Sequence, residues 1–176
     1  MKMAFLFLCL LSLPAAFAQS PYAKQESRAI KALSDERISA LEMGRGLGYA
    51  KAAELNGYPG PLHVLEMADE LGLDAEQRRR SQALLEAMRD RARALGRELI
   101  AAEATLDRLF AEGGASGQRL SERVSESARI EGELRQVHLQ AHIEQAALLS
   151  DEQIAAYARR RGYGDRAGHN GAHPGH

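Results

Sequence analysis

At 176 residues, with 45% apolar residues, 5% aromatic residues and a formal net charge of −1, the chain is long enough for one modest domain. A charge so near zero provides no overall field to draw the protein to nucleic acid, and no nucleic-acid partner is expected. Trp is absent while Ala, Leu, Glu and Arg dominate, which favours helices packed through small and aliphatic side chains.

The chain starts as an export signal does. Lys2 precedes an apolar run from Ala4 to Leu13, and Ala16-Phe17-Ala18 supplies a small-x-small cleavage triplet, so residues 1–18 read as a signal peptide cut before Gln19. The run is short for a bilayer span, although an uncleaved anchor is the alternative. Cys9 is the single cysteine and leaves with the signal, so the mature chain has no disulfide, thiolate ligand or thiol nucleophile. Export without disulfides suits a bacterial periplasm. No later segment is apolar enough to cross a membrane, and stable membrane insertion is not expected.

Residues 21–41 read as a short helical stretch with Ser34 as an internal N-cap and Ile30, Leu33, Ile38 and Leu41 on its apolar side. Met43-Gly44-Arg45-Gly46-Leu47-Gly48-Tyr49 breaks the helix; no strand precedes its glycines, so it is not a nucleotide loop. A helical piece over 50–55 and the turn Asn56-Gly57-Tyr58-Pro59-Gly60-Pro61 complete an N-terminal segment of residues 19–61. Pro61 suits the first turn of a helix over 62–71, and Gly72 suits its end.

Asp74 caps a long helix to about residue 110. Leu84, Met88, Ala92, Leu95, Leu99, Ala102, Leu106 and Leu109 follow one another by threes and fours, a near-heptad seam that should face another helix. Gly96 falls off this seam and reads as a mild weak point. The loop Glu112-Gly113-Gly114-Ala115-Ser116-Gly117 is short enough to turn the chain back on itself. The returning helix, about 118–148, carries Leu120, Val124, Ile130, Leu134, Val137, Ala141 and Leu148 in one stripe. A last helix runs to about 161, and residues 162–176, rich in Gly and His, read as a disordered tail. The expected fold is all-α: a long antiparallel helical hairpin with shorter flanking helices, its main domain at residues 62–161. A thin hairpin buries little apolar surface by itself, which predicts a cradle-like homodimer; a compact monomeric four-helix bundle is the alternative.

His138 and His142 are four apart on a helix, so their imidazoles share a face and can meet one metal ion; two half-exposed histidines at no site is the alternative. Beside Leu134, Val137 and Ala141 they fall on the shoulder of the apolar stripe. Leu139 stands where a zinc protease needs Glu, so protease chemistry is not expected. In the tail, His169, His173 and His176 with the terminal carboxylate can chelate Zn²⁺, Cu²⁺ or Ni²⁺; a solvated tail is the alternative. Arg78-Arg79-Arg80 and Arg159-Arg160-Arg161 read either as an anionic-partner surface or as solvated faces paired with nearby acids. His63 reads as structural or surface, and Met43, Met67 and Met88 as core filling. No Ser-His-Asp or paired-carboxylate spacing appears, so no enzyme is expected.

One five-residue pattern opens a helix twice. Leu73-Asp74-Ala75-Glu76-Gln77 and Leu149-Ser150-Asp151-Glu152-Gln153 each set a capping oxygen three residues before a Gln, the spacing of a capping box. With the signal and the all-helical body, these motifs resemble the Leu-Thr-x-x-Gln motifs of the Spy/CpxP-type periplasmic proteins and their zinc-resistance-associated and heavy-metal-sensor relatives. Asp74 and Ser150 stand in the Thr position, and both still cap. The resemblance covers residues 62–162 and implies a cradle-shaped periplasmic homodimer. In one branch it implies an ATP-independent chaperone that holds unfolded periplasmic proteins. In the other it implies a protein that binds nickel, cobalt, zinc or copper through His, Glu and Met and signals to a membrane-bound sensor or regulator. His138 and His142 are the helical positions that match a metal site of that second branch; its first-helix histidines have no counterpart between Gln19 and Leu62. The expected function is a periplasmic metal-binding stress or resistance accessory protein, with a Spy-type holdase lacking a metal site, or an interaction module without ligand, as alternatives.

Overall fold

The computed structural model describes residues 20–163. The signal-like N-terminus, and the tail with His169, His173 and His176, lie outside the described residues. Among the described residues the regular structure is entirely helical: α1 (Asp35–Glu42), α2 (Lys51–Glu54), α3 (Pro61–Glu66), α4 (Ala75–Ala111), α5 (Gly117–Ala146) and α6 (Asp151–Arg160). None of these helices is long and apolar enough to cross a membrane.

The N-terminal arm departs from the expected helix over 21–41. Residues 20–33 form successive turns, and helix begins only after Ser34, whose backbone is extended and whose side-chain oxygen accepts from the Arg37 amide. Lys24, at φ 71, already breaks any helix upstream. The arm is held by burial of Ile30 and Leu33 and by Asp107, which accepts from both the backbone amide and the ammonium of Lys31, each at 3.2 Å. α3 is likewise shorter than 62–71: Pro61 starts it at the first turn, and residues 67–72 continue as turns to Gly72 at φ 62.

The long helices α4 and α5 pack on each other through Ala92, Leu95, Leu99, Ile130 and Leu134, with Leu41 and Tyr49 closing the cluster from the N-terminal side. Leu41, Leu95 and Leu134 are almost fully buried, and each such side chain contributes about 1.5–3 kcal/mol relative to exposure. Gly96 is no weak point. It is buried where α1 crosses α4, and a Cβ there would lie 2.4 Å from the Leu41 carbonyl oxygen. A second cluster of Val64, Ala68, Leu71, Leu73 and Tyr157 joins the turns after α3 to α6 at the other end.

α1 and α2 cover one side of the long helix pair. Between α4 and α5 runs an open groove of about 560 Å³, lined among others by Leu84, Met88, Arg91, Glu133, Val137 and Glu144. Beside the connecting loop, Phe110, Leu120 and Val124 are exposed, although the sequence stripe placed the latter two toward a core.

Candidate functional site

The two capping boxes meet. Asp74 accepts from the Gln77 amide at 2.7 Å while Gln77 Oε1 accepts from the Asp74 amide at 3.2 Å. Ser150 and Gln153 repeat the exchange at 3.3 and 2.9 Å. The glutamines then pair with one another: Gln77 Nε2 donates to Gln153 Oε1 at 2.9 Å, and Gln153 Nε2 donates to Gln77 Oε1 at 3.0 Å. Their second amide hydrogens go to the Leu148 and Leu71 carbonyls, at 2.9 and 3.2 Å. Each amide uses both donors and fills both acceptor positions. This clasp fixes the start of α6 against the start of α4, and so fixes what α6 presents further along.

Residues 43–60 form a glycine-rich arch against α5. The arch brings Tyr49 to His138, ring centroids 5.9 Å apart and planes 23° off parallel. The Tyr49 hydroxyl donates to Glu131 at 2.9 Å, and Arg37 donates to both groups. Burial, reinforced by Glu131, pushes the Tyr49 hydroxyl up to about 12. His138 is not on a half-exposed shoulder: it is 3% exposed, and its Nε2 is buried without a hydrogen-bond partner. Burial first, then the neighbouring His142, pulls His138 down to about 4. At neutral pH it is therefore an uncharged imidazole with a lone pair available, the form that ligates metal.

His142 lies one turn on and is also directed at the arch. Its Nδ1 is 2.8 Å from the Tyr58 carbonyl oxygen, which can only accept; Nδ1 therefore carries hydrogen, and Nε2 holds the lone pair of the neutral ring. Gly60 rests on this ring so closely that a Cβ would sit 2.8 Å from Nε2. Only glycine allows that approach.

Glu54, at the end of α2, faces His142, with Oε2 3.6 Å from Nδ1. Its Oε1 accepts from the Tyr157 hydroxyl at 2.5 Å and the Tyr163 hydroxyl at 2.9 Å, and lies 3.4 Å from Arg161 Nε. Burial, then the bond to Glu54, raises the Tyr157 hydroxyl far above its ordinary value. Oε2 is buried with no hydrogen-bond partner. Sequence reasoning missed Glu54. Nothing local in the sequence sets this carboxylate apart, since Lys51 and Ala52 of the same short helix are exposed.

The structure thus sets His138 and His142 together on one face of α5 and adds Glu54 opposite. Among the described residues, no three His, Cys, Asp or Glu side chains gather closely enough to hold an ion without movement. His63 stands apart, bound to Glu66 at 2.9 Å. Of the basic runs, Arg78 pairs with Asp69 and Arg79 with Glu76, at 2.8 and 2.6 Å, whereas Arg161 joins the Glu54 cluster. No family model, no curated protein and no solved structure matches this chain.

Proposed function

We propose that this chain is a periplasmic metal-binding stress or resistance accessory protein, of the sensor or scavenger type, with His138, His142 and Glu54 as its donors. The reading is supported chiefly by two buried atoms without a hydrogen-bond partner: His138 Nε2, one helical turn before His142, and Glu54 Oε2, 3.6 Å from His142 Nδ1. A buried polar atom without a partner costs about 1–3 kcal/mol, a cost that a bound ion would relieve. Imidazole and carboxylate together suit Zn²⁺, Cu²⁺ or Ni²⁺. Capture requires the donors to close up. The lone pair of His142 lies under Gly60, so the arch must shift for it to be used. Occupancy is thereby coupled to the position of residues 58–60, which is the coupling a sensor needs. The tail histidines His169, His173 and His176 form a separate collecting site in this reading, and a membrane-bound regulator is the receiver of the signal.

The long helix pair, taken as an antiparallel hairpin, is the scaffold, and its uncovered face is the surface for a homodimer. Leu84, Met88, Arg91 and Leu95 on α4 keep a heptad step along the open groove, as do Glu133, Val137, Gln140 and Glu144 on α5. That same mixed apolar and charged groove favours the second reading, an ATP-independent holdase for unfolded periplasmic proteins.

Calorimetric titration with Zn²⁺, Cu²⁺ and Ni²⁺ tests the first reading. Binding that survives truncation after Tyr163 but is lost in His138→Ala, His142→Ala and Glu54→Ala supports it. Binding lost only on truncation rejects the helical site. For the second reading, no suppression of client aggregation at several-fold excess without ATP counts against a holdase.

A further inference from the structure

We propose that the outer side of the arch over 43–60, with the first turn of α3, is a docking surface for an anionic lipid bilayer, met from one side without crossing it. The proposal is independent of the metal reading. Met43, Leu47, Tyr58 and Leu62 are exposed, at 50, 38, 38 and 37%, while the same segment buries Tyr49, Ala53, Pro59 and Pro61 against the body. Met43, which reads from the sequence as core filling, is thus half exposed. Single exposed apolar residues are ordinary on a protein surface, but several on one short segment mark a contact surface.

Leu47 sharpens the point. Its backbone lies at φ 46, in the left-handed region that glycine adopts freely and other residues avoid, and glycines stand on both sides of it. Neither backbone preference nor packing within the chain favours a leucine at this turn. A contact outside the chain accounts for it.

The charges fit an anionic surface. Arg45 and Lys51 flank Leu47, are exposed, and form no ion pair among the described residues. Arg135 of α5 adds a third cation, its guanidinium 5.8 Å from the centre of the Tyr49 ring. Glu54, the one carboxylate within 43–62, is turned inward, where the Tyr157 and Tyr163 hydroxyls donate to it. Of the bordering carboxylates, Glu66 is engaged by His63 at 2.9 Å, and Glu42 ends α1. The open clefts between α4 and α5, places suited to seat a chain segment, are lined by other residues. Apolar side chains raised between cations suit a headgroup layer instead: Leu and Met reach the acyl boundary, Tyr stays among the headgroups, and Arg and Lys meet phosphate.

The test is co-sedimentation of the mature chain, residues 19–176, at neutral pH with vesicles of phosphatidylglycerol and phosphatidylethanolamine, beside vesicles of phosphatidylcholine alone. Binding to the charged vesicles, weakened by salt, is expected. Leu47→Gly relieves the backbone, so it keeps or raises the unfolding midpoint, yet it should lower partitioning by about ten-fold. Arg45→Gln and Lys51→Gln should each lower it by about five-fold at low salt. Because the mature chain has no cysteine, a bimane label on Leu47→Cys reports this site alone; its emission should shift to the blue on charged vesicles, and a label on Ser121→Cys, exposed on α5, should not. Charged vesicles that leave the protein in the supernatant overturn the proposal. So does partitioning within about two-fold of the parent in Leu47→Gly and in the doubly substituted Arg45→Gln/Lys51→Gln chain. A label at position 47 that responds to polyglutamate and not to vesicles also overturns it, and assigns the surface to an acidic protein segment.

Discussion

Replacing Gln77 by Ala tests whether the repeated motif is one structural device. The Gln77 side chain accepts from the Asp74 amide and from Gln153, and donates to the Leu148 carbonyl and to Gln153. Intramolecular hydrogen bonds contribute about 0.5–1.5 kcal/mol each net, and water recovers part of the loss at a half-buried site, so Gln77→Ala should cost about 2–3 kcal/mol. Gln153→Ala should cost about the same, since it forms a matching set with the Ser150 amide and the Leu71 carbonyl. The two bonds shared by the glutamines disappear in either single variant and cannot be lost twice. The double variant should therefore cost about 3–4 kcal/mol rather than the sum, a coupling of about 1–2 kcal/mol. Urea unfolding followed by helical circular dichroism supplies the four free energies, provided the slopes agree. Additivity within about 0.5 kcal/mol would mean that the two side chains do not meet, and would refute the clasp.

Three further outcomes are expected. Gly96→Ala gains about 1 kcal/mol of helix propensity, but its Cβ meets the Leu41 carbonyl oxygen at 2.4 Å, so α1 must lift and thermal denaturation should show a net loss of about 1–3 kcal/mol; a raised Tm would contradict the close approach. The folded His138 titrates near 4 against an ordinary 6.5, so the unfolded chain binds the proton more readily between these values. Its contribution to the stability of the metal-free protein is thus complete above the ordinary value and declines by up to about 3 kcal/mol as pH falls toward 4; urea midpoints should follow that slope, and His138→Phe should flatten it. Asp107→Ala removes the acceptor that holds both the amide and the ammonium of Lys31, so limited proteolysis within residues 20–33 should accelerate while helical content is kept.

What could be read from the sequence was what is settled locally. Asp74 and Ser150 cap because their own side chains reach amides three residues on, and the boundaries of α4 and α6 follow from that chemistry. The single seam drawn along α4 was only partly right, because the helix buries more than one face. Leu95 and Leu99 face α5, but Gly96 meets α1, and Ser81 and Leu85 are also buried while Leu84 and Met88 line the open groove. A periodic pattern does not state how many neighbours a helix has. The arm over 20–33 contains helix-forming residues, yet its cap at Ser34 and its tie to Asp107 hold it as turns. Of the candidate donors, His138 and His142 followed from a four-residue spacing. Glu54 did not, because it reaches His142 only through the arch over 43–60, a tertiary path.

X-ray absorption at the zinc edge, on Zn²⁺-loaded mature protein truncated after Tyr163, tests the central claim most directly. The account predicts a first shell with two imidazole nitrogens and a carboxylate oxygen, losing one imidazole in His138→Ala and one in His142→Ala. A chain that takes up no Zn²⁺ once the tail is removed, or a shell unchanged by both substitutions, would contradict it.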